Sequence, residues 1–446
     1  MRTRILCAGL GATLLIGACT GGGGQATVSA SHSSREIPQP VVPHVAVAPE
    51  NQRVDLRVPT FSHPTEVTNP LFPVSKQASV LFLGHVDGKP FRTEVTLLPE
   101  TRIVQWEGQW IETLVSQYMA YLGGRIQEVA YDLYAQADDG SVWYFGEDVA
   151  DFVDGAIVTK EGTWIVGKDG PGAMIMPGNP EVGDAYRTEN NPGIAFEQVT
   201  VTSVDRTFDG PLGPIQGGMV GQELHMDGKT ENKLFAPGYG EFYTSGGGDV
   251  EALALAVPTD AASGPLPTGL VTLEQGGTAV IDAARSGDWP SASSTVGGMK
   301  AAWDAYAAGD VPRLIRPKVT PALAALDRAV RARDQVRATQ AAIDLTQSIL
   351  DLELRYRPAS EVNLARFDLW AAQVLADAAA GDDAAVRGDV FTLGYIRDRI
   401  VHALDPAAVT AVNIQLGRLQ IAAVDGALAR AARAATELRT VTPGLA

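Results

Sequence analysis

Near residue 257 the apolar residues of this chain stop recurring at every second position and begin recurring at every third or fourth. A strand sends successive side chains to opposite faces, whereas a helix returns to the same face after about 3.6 residues, so one element cannot serve both periods. The chain must therefore build a sheet first and a helical body second. Before the change, residues 126–136 read IQEVAYDLYAQ, with Val129, Tyr131, Leu133 and Ala135 on one face and Glu128, Asp132 and Gln136 on the other. Asp139-Gly140 interrupts this run, and Gly accepts the positive φ that a tight turn requires. Further breaks fall at 209–213, 226–229 and 236–240. Many short alternating runs separated by Gly, Pro and Asp predict an antiparallel sheet over residues 59–257, strongly curved or rolled into an open barrel.

Residues 258–275 are rich in Pro, Gly and Thr and read as a linker. An all-α antiparallel bundle is expected over 276–440, which makes the fold an α+β, two-domain one. Ala338, Ala342, Leu345, Ile349, Leu352 and Tyr356 recur at steps of four and three, as do Leu364, Phe367, Ala371, Val374 and Ala378. Such seams bury one helix against another at a small crossing angle. Pro358 suits a helix start, Gly381-Asp382 ends one helix and caps the next, and further helices are expected at 383–403 and 406–439. Asp288, Asp334 and Asp382 recur at spacings of 46 and 48, which fits either stacked helical hairpins or a shared turn habit. Asp351 and Arg355 are spaced as an i,i+4 ion pair, and Asp368 is placed to meet Arg366, Arg397 or Arg399.

The opening residues, MRTRILCAGLGATLLIGAC, combine two arginines, a short apolar run and small residues before Cys19. The apolar run is too short to span a membrane. The ending Ile16-Gly17-Ala18-Cys19 resembles a bacterial lipoprotein signal. That resemblance implies a signal peptide over 1–18, a lipid-modified Cys19 and a place on the bacterial cell envelope outside the cytoplasm. Two or more acyl chains anchor a protein stably. Residues 19–58, dominated by Gly, Ser and Pro, read as a tether reaching roughly 30–35 Å. With Cys19 acylated, the mature chain has no thiol for a disulfide, a nucleophile or a thiolate metal site.

Charge narrows the partners. Residues 1–300 carry 18 basic and 35 acidic side chains, and residues 301–446 carry 17 of each, so the whole net charge of −17 lies in the first part. Such a surface repels phosphate backbones, so no nucleic-acid partner is expected. Gly228-Lys229-Thr230 imitates the end of a phosphate loop, but Glu223 stands where its first glycine belongs. No Gly-x-Ser-x-Gly occurs. The six histidines show no His-x-x-x-His or Glu-x-x-His pairing, so neither a metal centre nor a cofactor is expected.

The densest cluster of chemistry is YDLYAQADDGSVWYFGED, residues 131–148. Its simplest reading is two strands and a turn, with Asp138 and Asp139 turning the chain. The sharper reading is a ligand or calcium site of hard oxygen donors from Glu147, Asp148 and Asp151. With NPLFPV (69–74), IMPGNPEVGDAYRTE (175–189) and FAPGYGEF (235–242), this stretch resembles a group of uncharacterised secreted bacterial proteins over about 69–245. The resemblance implies export and a β domain, and it brings no activity.

Together these features point to an envelope-anchored, non-enzymatic protein that binds an amphiphilic ligand or an envelope protein. The alternatives are a carboxylate-dependent hydrolase using Glu147 or Asp148 as general base, and a calcium-binding module. An interior filled by Trp106, Trp110, Trp143 and Trp164 would speak against an amphiphile.

Overall fold

The computed structural model describes residues 47–442. Cys19 and the signal and most of the tether lie outside the described residues. From Ser79 to Val257 the chain forms one antiparallel sheet of fourteen strands. Strands β1 (Ser79–Val86), β2 (Lys89–Trp106), β3 (Gln109–Leu122), β4 (Arg125–Gln136), β5 (Val142–Val153) and β6 (Ala156–Thr159) run as a meander. A second meander comprises β9 (Ala185–Asn191), β10 (Ala195–Asp209), β11 (Pro214–His225), β12 (Thr230–Ala236), β13 (Gly240–Gly246) and β14 (Asp249–Val257). The two join where β14 pairs with β1. Short strands β7 (Trp164–Ile165) and β8 (Ala173–Met176) pair with β5, and β8 lies beside β9, so the sheet curls until its outer strands meet.

The turns explain the meander. Asp87-Gly88, Glu107-Gly108, Gly123-Gly124 and Asp154-Gly155 each take positive φ at both residues, the geometry of two-residue hairpins whose twist matches the strands. Asp139-Gly140 instead sits in a longer connection, where the Asp139 carboxylate accepts from the amide and hydroxyl of Ser141.

Eight α-helices follow among the described residues: α1 (Thr268–Ser286), α2 (Trp289–Tyr306), α3 (Arg316–Arg331), α4 (Gln335–Glu353), α5 (Ala359–Ala380), α6 (Asp383–Ile400), α7 (Pro406–Val424) and α8 (Leu428–Val441). Helix α1 starts inside the stretch expected to be a linker, because Leu270 and Leu273 bury completely in the helical core. The single helix expected at 406–439 is two, broken where Gly426 takes φ +63°. Helices α1–α4 close around one core and α5–α8 around a second, each an antiparallel four-helix bundle, with α4 against α5 joining them. Asp288, Asp334 and Asp382 prove to be N-caps of α2, α4 and α6, each accepting from the amide three residues on. By length and composition α7 could cross a membrane, yet Val412, Leu416 and Leu419 are buried in the second bundle.

Helices cover part of the outer face of the sheet. Leu81, Leu255 and Val257 share a core with α1–α4, while Met119, Tyr121, Val129 and Phe152 pack beside Trp370 and Tyr395. The β5–β6 turn fits against α6 because Gly155 lacks a side chain: a Cβ there would stand 2.0 Å from the Ala384 carbonyl oxygen. The end of the expected tether also docks. Arg53 bridges to Ala185, and Asp55 accepts from the Arg187 amide at 3.0 Å.

Candidate functional site

Strand alternation separates the carboxylates singled out in the sequence. Glu147 and Asp151 share the inner face of β5, opposite Asp132 and Glu128 of β4, while Asp148 pairs with Tyr131 on the outer face. Glu147 is buried beside Trp164, Asp151 is half-buried, and Asp148 is exposed with Lys160 Nζ at 3.1 Å. The three therefore do not converge on one cation. Of the tryptophans, Trp106, Trp143 and Trp164 are buried, but Trp110 is 73% exposed. Tyr134 stacks on Tyr144, whose ring meets Trp164 edge-on.

Beyond the exposed Arg125 and Gln127 both faces of β4 are largely buried, and Glu128 and Asp132 turn into the curled sheet. Tyr144 donates to Asp132 at 2.7 Å. Burial first, and then carboxylates such as Asp132, keep the Tyr134 and Tyr144 phenols protonated well beyond the usual range. Across the interior, Glu197, Glu223 and His225 offer ligand atoms within 4.8 Å of one another. Burial alone would lower the His225 imidazole, but Glu197, Glu231 and Glu223 outweigh it and push it up to about 11. Sequence reasoning missed this group because it looked for helical histidine spacing. On a strand the signal is i,i+2, and Glu223-Leu224-His225 carries it.

A second site lies where sheet meets helices. A cavity of about 530 Å³ opens between the β2–β4 edge, with Phe91, Arg92 and Tyr121, and α3, α4 and α5, with Lys318, Gln347 and Trp370. Tyr121 and Trp370 stack at 5.5 Å and 18° along its wall. Behind it lies an ion network. Arg92 bonds Asp351 at 2.7 Å and Glu94 at 2.6 Å, Arg399 bonds Glu94 at 2.6 Å, and Arg366 bonds Asp351 at 2.7 Å. Burial would raise the Glu94 carboxyl, but the guanidinium groups of Arg366, Arg92 and Arg399 hold it well below the carboxylate range. Three guanidinium groups against two carboxylates leave one positive charge. Arg366 and Arg399 are sealed, with side chains 1% and 0% exposed, and Arg92 at 18% is the arginine of the network that lines the cavity.

Two expected pairings form differently. Arg355 donates to the carbonyls of Asp260 and Asp310, leaving Asp351 to the network, and Asp368 meets Arg439 at 3.1 Å. Comparison with protein-family models and with curated proteins returns no match for this chain.

Proposed function

We propose that this protein is an exported, lipid-anchored binding protein that holds a small polar ligand in the cleft between its sheet and its helices. The supporting observation is the cleft itself: a cavity of about 530 Å³ with a stacked Tyr121–Trp370 wall and the cationic side chains of Arg92 and Lys318 in its lining, in a chain of net charge −17. Small-molecule sites are concave, of about 300–1,000 Å³, with few oriented polar groups on a largely apolar lining. A flat ring carrying a carboxylate or hydroxyl groups fits this lining: the ring lies on Trp370, and Arg92 and Lys318 receive the oxygen atoms. Catalysis by a carboxylate pair finds less support, because Glu147 and Asp148 point to opposite faces of β5. An amphiphile inside the curled sheet also finds less support, since Trp164, Tyr134, Tyr144 and Phe235 already fill it.

A thermal-shift screen of small aromatic acids and sugars tests the cleft. A true ligand raises the melting temperature of the parent and binds Trp370→Ala at least ~10-fold more weakly, with the far-ultraviolet circular dichroism of that variant unchanged. Equal stabilisation of parent and variant places the ligand elsewhere. Envelope anchoring is read by intact mass, which should find a lipid-bearing chain starting at Cys19; an unacylated chain starting at Met1 overturns it.

A further inference from the structure

We propose that the cavity between the start of α1 and the end of α4 binds a phosphate group, free or esterified to a small molecule, through Arg355 and the α1 N-terminus. The cavity measures about 920 Å³ and shares no lining residue with the sheet–helix cleft. Close packing brings its walls together. A Cβ on Gly269 would stand 3.2 Å from the Ala302 carbonyl oxygen and 3.6 Å from Tyr306 Cβ, so the first turn of α1 lies directly on α2. The Ala262 amide donates to the Arg355 carbonyl at 2.7 Å, which ties the residues before α1 to the end of α4.

Arg355 is the observation that calls for an anion. It is 7% exposed and lines the cavity. Its Nε donates to the Asp260 carbonyl at 3.1 Å and its Nη1 to the Asp310 carbonyl at 2.7 Å, while Nη2 meets no acceptor among the described residues. No carboxylate forms an ion pair with it. Asp260 commits its own carboxylate to the Tyr239 hydroxyl at 2.7 Å and the Ala256 amide at 2.9 Å. A guanidinium taken out of water without a paired counter-charge costs free energy, which a bound anion restores. Tyr306 Oη, at the same corner, also has no partner at hydrogen-bonding geometry.

The helix supplies a second set of donors facing the same space. Pro267 offers α1 no capping side chain, and the Thr268 and Gly269 amides meet no acceptor among the described residues. The first amides of a helix carry partial positive charge toward an anion. Carbonyl groups at the end of α2, which would repel one, are covered: Arg316 donates to Ala307 at 2.7 Å and to Gly309 at 3.0 Å. Asp310 is the one acid in the lining, and Arg355 holds its carbonyl. A doubly charged phosphate, with oxygens on several sides, gains from both donor sets, whereas a planar carboxylate carries one charge and two oxygens.

The test is isothermal titration calorimetry of the purified full chain in phosphate-free buffer, with inorganic phosphate, glycerol phosphate and acetate in separate runs. One of the two phosphates should saturate a single site with Kd below ~1 mM, and acetate should bind at least ~10-fold more weakly. Tighter binding of glycerol phosphate assigns the site to an ester, and tighter binding of inorganic phosphate to the free ion. Arg355→Gln should bind at least ~10-fold more weakly. Thr268→Pro removes an amide and a hydroxyl at a helix position that accepts proline, and should weaken binding at least ~3-fold with the melting temperature little changed. Arg337→Gln deletes an exposed cation near the opposite end of α4 and should bind as the parent does. No saturable phosphate binding in the parent, equal affinity for acetate, or unchanged affinity in both Arg355→Gln and Thr268→Pro overturns the proposal.

Discussion

Glu251 shows what a buried carboxyl does to pH dependence in this interior. It is 1% exposed, one oxygen accepts from the Thr93 hydroxyl, and the other has no hydrogen-bond partner among the described residues. Burial, reinforced by Glu241, pushes it up to about 8. The folded protein then keeps a proton that the unfolded chain releases near 4.5, so this stabilisation is complete below about 4.5 and lost as the pH rises through about 8. Glu251→Gln cannot ionise. It should raise the melting temperature by ~3 °C or more at pH 8.5 and change it little at pH 5; an equal shift at both values would show that ionisation is not the cause. Glu94 has the opposite sign, because its guanidinium neighbours hold it low and its stabilisation is lost on acidification. In the sequence both read simply as alternating charged strand residues. Their sign depends on which arginines the fold brings within 3 Å of Glu94 and withholds from Glu251.

At the scale of elements, two Asp-Gly hairpins make a controlled comparison. Gly88 and Gly155 have φ of +72° and +71°, but a Cβ on Gly88 meets nothing within 4 Å, whereas one on Gly155 runs into α6. Gly88→Ala should cost about 1 kcal/mol of backbone strain, and Gly155→Ala at least ~2 kcal/mol more, because the turn must also back away from the helix. Urea unfolding of the two variants checks this, and equal losses would mean the contact with α6 is loose. The turns themselves were legible, as Asp and Gly are the residues that tolerate positive φ. So were the helix seams and the Asp caps. The break between α7 and α8 was harder to see, because Asp425-Gly426 lies in an alanine-rich run whose apolar spacing continues through it.

In the whole molecule, sheet and helices do not have wholly separate cores: Leu81 and Leu255 belong to the helical core, and Glu94 of β2 sits among guanidinium groups from α5 and α6. Removing one member of a buried charge network leaves the others uncompensated, which costs about 3–5 kcal/mol. Glu94→Gln should therefore destabilise the whole protein by about that much, with the parent unfolding in one calorimetric transition. Loss below ~1 kcal/mol, or two transitions in the parent, would show that the halves unfold independently.

The periods of the apolar residues, the turn residues and the caps determined a curled antiparallel sheet followed by antiparallel helices, since these depend on neighbours a few positions apart. Which carboxylates meet a cation was decided only in three dimensions. Glu94 lies 257 positions from Asp351, and Glu197 lies 28 from His225. Strand alternation parted Asp148 from Glu147, and sheet register set Glu223 against Glu231. Electrostatic interaction follows distance through space and burial, neither of which a one-dimensional pattern contains.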